Sequence, residues 1–198
     1  MMSKKFLLLS VSLIFIFVGT VNSNSIEPDI FVQSTVNRAS EALSNNLSKE
    51  EKIKKLKTIA RETVDIKGIG FYTIGKYRKT LSEEQKNEYS TLFEKYFLKS
   101  FASRLAEYSN PEIEVIFKEK LNEKYTIVSS KLVATKKRPE VKIDWRIYTK
   151  NPENPLIRDL IIEGLSLART QKEEFSSIIQ SNDGNIDALF DTLKKFID

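Results

Sequence analysis

Residues 163–168 read Glu-Gly-Leu-Ser-Leu-Ala, at the point where an apolar, strand-like run gives way to a helix-like segment. A serine that follows glycine on a sharp strand-to-helix turn is how one large class of hydrolases presents its nucleophile. Ser166 is therefore the first residue to ask about. A serine hydroxyl needs a neighbouring base, most often histidine, to take its proton, and the chain contains no His. The lysine-based alternative places Lys three residues after Ser, and no serine here is followed in that way. The second glycine of the nucleophile turn is also missing, its place held by Ala168. Ser166 thus reads as the end of a strand whose hydroxyl caps the next helix.

Other candidate chemistries fail on residue type. Gly68, Gly70 and Gly75 suggest a phosphate-binding loop, but G-x-G-x-x-G requires glycine where Thr73 stands. The absence of Cys excludes disulfides, thiolate zinc sites, thiol catalysis and lipid anchoring through a modified cysteine. Without His as well, no transition metal is expected and no cofactor is implied. The carboxylates available for acid–base work on strand-like segments are Asp144 and Asp159, and Asp144 falls on the polar side of its strand.

The elements that would position these groups begin with an address. Lys4 and Lys5 precede an apolar stretch, Phe6 to Val18, interrupted only by Ser10 and Ser12. It falls short of the about 20 residues that span a bilayer, so residues 1–23 read as a secretory signal peptide, with Val21 and Ser23 filling the small-residue positions before cleavage. Residues 24–198 then form a single domain, expected in the periplasm. A net charge of +5 falls to +3 without Lys4 and Lys5 (5 − 2 = 3). The basic residues mostly alternate with acids, as solvated helix faces do, so no nucleic-acid partner is expected.

Helices are expected from Glu27 to Leu47, from the Ser48/Glu51 capping box onward, through residues 65–81 despite three glycines, and from Ser82, boxed by Gln85, to Ser109. The glycines of residues 65–81 imply close packing against another backbone. The Ser82 helix carries two adjacent apolar stripes: Tyr89, Leu92, Phe93 and Tyr96, then Phe97, Phe101, Leu105 and Tyr108. Such a wide face either fills a core or lines a cavity. After Pro111 the period changes from 3.6 to 2, and residues 112–121, 124–135, 139–150 and 155–164 read as four antiparallel strands. In the third, Val141, Ile143, Trp145 and Ile147 alternate with Lys142, Asp144, Arg146 and Tyr148, so one face is covered and the other wet. Two helices follow, to Gln180 and from Asn185 to Phe196. The fold class is α+β, with helices wrapped over one face of an antiparallel sheet of about four strands.

Two segments, Phe71 to Tyr108 and Asp159 to Leu193, carry a pattern. In the first, Gly75, Arg78, Leu81, Ser82 and Gln85 occur in order; in the second, Asp159, Glu163, Gly164, Leu165, Ser166, Leu167, Phe175 and Gly184 do. The chain resembles the MlaC, or toluene-tolerance, family of periplasmic phospholipid-binding proteins of the Mla pathway. It departs from the family pattern at Leu156, at Lys172-Glu173-Glu174 and at Tyr89. The resemblance implies an NTF2-like curved sheet whose helices enclose an apolar pocket for the acyl chains of a diacyl phospholipid, the headgroup near the mouth. Residues expected to contact lipid are Phe93, Phe97, Phe101, Leu105, Val128, Val141, Ile143, Trp145, Ile147 and Ile161. The implied role is that of a monomeric carrier maintaining outer-membrane lipid asymmetry, with no catalytic residue. Its implied partners are an outer-membrane lipoprotein–porin complex and an inner-membrane ABC transporter with an MCE-domain subunit. Alternatives are an NTF2-like isomerase or dehydratase acting through Asp144 or Asp159, and a secreted adaptor without ligand.

Overall fold

The computed structural model describes residues 25–198 except 45 and 137, so the expected signal peptide, residues 1–23, lies outside the described residues. Helix starts follow the local chemistry closely. Pro28 opens α1 (Pro28–Ala42) at a position where its missing N–H costs nothing. Reciprocal capping boxes, Ser48 with Glu51 and Ser82 with Gln85, open α2 (Lys49–Thr63) and α4 (Glu83–Leu105). Between them, Asp65 caps α3 (Ile66–Thr73) by accepting from the Gly68 N–H at 2.9 Å.

Two helices are shorter than expected. α1 stops at Ala42, where Leu43 leaves helical geometry. The helix through residues 65–81 breaks into α3 and a 3-10 turn, Gly75–Lys79, because Gly75 takes φ +51°, a left-handed conformation that ends a helix. Gly70 does mark a close approach, to a ring instead of a backbone: a Cβ there would lie 2.7 Å from Cδ1 of Phe93 on α4. The Tyr89 hydroxyl, also from α4, donates to the Gly70 carbonyl at 3.0 Å.

The sheet has five strands in sequential order: β1 (Ile113–Asn122), β2 (Tyr125–Leu132), β3 (Val141–Tyr148), β4 (Leu156–Ile162) and β5 (Leu165–Ser166), each antiparallel to its neighbours. The fifth strand arises because Glu163 and Gly164, at φ 48° and 82°, reverse the chain within two residues. Leu165 then pairs with Ile162, and Ser166 with Ile161. Helices α5 (Leu167–Gln180) and α6 (Asp187–Ile197) complete the chain. Among the described residues no helix is long and apolar enough to cross a membrane.

On β3 the expected alternation holds, with Ile143, Trp145 and Ile147 buried and Lys142 exposed. β4 contains a bulge. Arg146 pairs with Asp159 but Ile147 pairs with Ile157, so Arg158 is an extra residue that inverts the inward and outward phase beyond it. Arg158 is held by one group from outside the sheet, Asp65, and by two tyrosines of the sheet itself. Its Nε donates to the Asp65 carboxylate at 2.6 Å and its Nη1 to the Tyr125 hydroxyl at 2.8 Å, while the guanidinium lies 3.8 Å from the centre of the Tyr148 ring.

The apolar interior forms three bodies. One joins α3, α4, α5 and α6 around Tyr89, Phe93, Phe175 and Ile179. Another packs Val32 and Val36 of α1 on Val128, Trp145, Ile147 and Ile157 of the sheet. The third joins Leu43, Leu56, Ala102 and Ala106 where α1, α2 and α4 meet. The three bodies surround a space that none of them fills.

Candidate functional site

Ser166 is the N-cap of α5. Its Oγ accepts from the Arg169 N–H at 3.1 Å and donates to Asp159 Oδ2 at 2.6 Å, while the Ala168 N–H donates to Asp159 Oδ1 at 3.0 Å. Asp159 is 4% exposed. A carboxylate with both oxygens committed to helix-start donors acts as a clamp between β4 and α5, not as a free base. Ser166→Ala should therefore cost about 1–2 kcal/mol through the lost cap, lowering the melting temperature, while the lipid content per folded molecule measured after purification stays unchanged. Asp144 accepts from Ser129 Oγ at 2.6 Å and faces Lys142 Nζ at 3.2 Å.

The space between the three apolar bodies is a cavity of about 600 Å³. Val141, Ile143 and Trp145 of β3 form its floor with Leu160 and Ile162 of β4. The Trp145 ring is fixed there by its indole N–H, which donates to Ser130 Oγ at 2.8 Å. One wall is the α4 stripe, where Phe93, Phe97 and Phe101 succeed one another at ring-centre distances of 6.2 and 5.4 Å, followed by Leu105. A further wall is made by Val36 and Ala39 of α1, Leu43 just past its end, and Leu56 and Ile59 of α2. A mainly aliphatic and aromatic chamber of this size suits a flexible hydrocarbon.

The exposed members of the lining mark its mouth: Arg104 in the last turn of α4, Tyr108 just beyond that helix, and Leu167, Thr170 and Glu174 on the first turns of α5. A hydrogen-bond relay fixes one side. The Tyr96 hydroxyl donates to Gln171 Oε1 at 2.8 Å, and Gln171 Nε2 donates to Glu174 Oε2 at 2.8 Å. Burial, and then the Glu174 carboxylate, push the Tyr96 phenol above its ordinary value, and Arg104 acts in the opposite sense.

Of the ten residues expected to face lipid, Phe93, Phe97, Phe101, Leu105, Val141, Ile143 and Trp145 line this cavity. Three do not. Val128 and Ile147, each fully buried, belong to the solid body beneath α1, because that helix lies directly on this part of the sheet. Ile161 pairs with Asp144 on the opposite face, because the bulge at Arg158 turns Leu160 and Ile162 inward in its place. Sequence reasoning missed the α1 and α2 wall and the polar mouth. The apolar stripes of both helices were legible, but nothing local says which neighbour they face.

Residues 33–195 match a family model described as MlaC protein. Among solved structures, the fold is similar to that of a phospholipid-binding protein from Ralstonia solanacearum, determined in complex with a phospholipid at 1.53 Å resolution. The two superpose with a TM-score of 0.72 at 18% sequence identity, over 87% of this chain and 97% of that one.

Proposed function

The chain belongs to the MlaC family, and from that premise we propose that it binds a diacyl phospholipid in its cavity and carries it, as a monomer, across the periplasm. Export would follow from the signal peptide at residues 1–23. The exchange partners in this reading are an outer-membrane lipoprotein–porin complex and an inner-membrane ABC transporter whose MCE-domain subunit faces the periplasm. The result would be maintenance of outer-membrane lipid asymmetry. The observation that carries the proposal is the cavity of about 600 Å³, lined mainly by aliphatic and aromatic side chains, with its charged and exposed residues Arg104 and Glu174 at the mouth.

The energetics suit a carrier. Two acyl chains hold roughly 30 methylenes, whose removal from water is worth on the order of 20 kcal/mol. A lipid already in a bilayer gains almost none of this on entering an equally dry cavity, so the exchange is nearly balanced. Direction must then be imposed by the donor and acceptor complexes, and the carrier itself needs no catalytic group. An isomerase or dehydratase of similar architecture would need a carboxylate free to move a proton, whereas both oxygens of Asp159 are committed to α5.

The test is mass spectrometry of an organic extract of the purified mature protein. Phospholipid at a fixed molar ratio to folded protein is the expected result. A ratio near zero from a well-folded preparation would favour the adaptor reading and remove this one.

A further inference from the structure

Acyl chains in the cavity leave the charged part of a lipid at the mouth, because burying an unpaired phosphate in the dry interior costs far more than leaving it in contact with water. The mouth is not electrically neutral ground. Five of the chain's eight arginines pair with a carboxylate. Arg104 and Arg138 make no ion pair among the described residues, and both sit by Tyr108. Arg104 lines the mouth four residues before it, and the Arg138 guanidinium lies 5.5 Å from the centre of its ring. Arg138 has one engaged donor, Nη2 to the Val133 carbonyl at 3.2 Å, and its Nε has no partner. The same lining includes Glu174, whose carboxylate is anchored by the Tyr96–Gln171 relay.

We propose that this mouth is a site for a zwitterionic phospholipid headgroup, with Arg104 and Arg138 receiving the phosphate and Glu174 receiving an ammonium. The proposal rests on the phospholipid reading above and specifies its ligand. A guanidinium matches the phosphate oxygens through paired N–H donors. An ammonium-bearing headgroup brings a counter-charge to Glu174, whereas a glycerol headgroup brings none and leaves the phosphate facing a carboxylate. The mouth therefore selects phosphatidylethanolamine-like over phosphatidylglycerol-like lipids. Because Glu174 is exposed, the selection is of the size of a surface ion pair, about two- to fivefold.

The experiment offers lipid-stripped mature protein vesicles containing equal parts of phosphatidylethanolamine and phosphatidylglycerol with identical acyl chains, and reads the bound species by mass spectrometry. The wild type should be enriched about two- to fivefold in the ethanolamine lipid, and Glu174→Gln should bring the ratio close to equal. Arg104→Gln combined with Arg138→Gln should lower retention of both lipids. A wild-type ratio of one or less, or a ratio that Glu174→Gln does not move, overturns the headgroup assignment and leaves the carrier reading standing. Failure to load either lipid removes both. A parallel sample in excess inorganic phosphate should keep its lipid and its ratio. Loss of lipid there to the level of the double arginine variant would assign the two cations to free anions and overturn the proposal.

Discussion

Asp159→Ala should melt about 6–12 °C below the wild type, the largest loss of stability expected from any single change at this site. The carboxylate is buried and holds two donors, Ser166 Oγ at 2.6 Å and the Ala168 N–H at 3.0 Å. Hydrogen bonds to a charged group are worth about 1.5–3 kcal/mol each, and a donor left behind without a partner adds its own cost. The pair together is worth about 3 kcal/mol, and in a chain of this length each kcal/mol moves the midpoint by about 2–4 °C. Arg146 contributes little of this, since its Nη1 lies 3.9 Å away and the side chain is 42% exposed. Asp159→Asn keeps one acceptor oxygen and should lose about half as much. A shift below about 2 °C for the alanine variant, measured by calorimetry, would mean that α5 is held to the sheet by other contacts.

Ile143→Trp should abolish most lipid binding while leaving the lipid-free protein nearly as stable as before. Ile143 is 8% exposed and lies on the cavity floor between Val141 and Trp145. In a filled core, so large an insertion strains its neighbours and costs about 1–3 kcal/mol. Here the added ring can enter the cavity, where it displaces roughly two or three methylenes of lipid at about 0.8 kcal/mol each. The loss of about 2 kcal/mol lowers affinity on the order of thirtyfold. Melting temperatures of the stripped proteins should agree within a few degrees, and the variant should carry far less phospholipid through purification. A large drop in the stripped variant's melting temperature, with lipid per folded molecule unchanged, would identify this part of the sheet as plain core. Ile147→Trp is the matched control. That side chain is fully buried under α1, and there the same insertion should destabilise the protein.

Much of this architecture is written in short stretches of sequence. The capping boxes at Ser48 and Ser82 place the starts of α2 and α4 to the residue, because every group involved lies within one turn. The alternation from Val141 to Tyr148 assigns the faces of β3 without error for the same reason. Ser166 as a helix cap follows from the lack of any base to activate it, and its hydrogen bond to Arg169 is again local. Gly75 shows the limit of this kind of inference. It permits a left-handed break in the helix, but whether the chain uses that freedom depends on what the next turn packs against.

The cavity was decided elsewhere. The phase of β4 turns on Arg158, whose partner Asp65 is 93 residues away, and no periodicity within the strand can report that contact. Ile161 faces away from the cavity for that reason. Val128 and Ile147 pack against protein and not against the cavity because α1 lies over one end of the sheet and leaves the other end open, a choice made by the packing of α1 on α2 and β1. An apolar pattern states that a face avoids water, and the force behind it is proportional to area and has no direction. A leucine from a neighbouring helix and a methylene of a bound lipid satisfy it equally. Residue types can therefore mark which faces are dry, while only the arrangement of the helices around them determines where protein ends and a space for ligand begins.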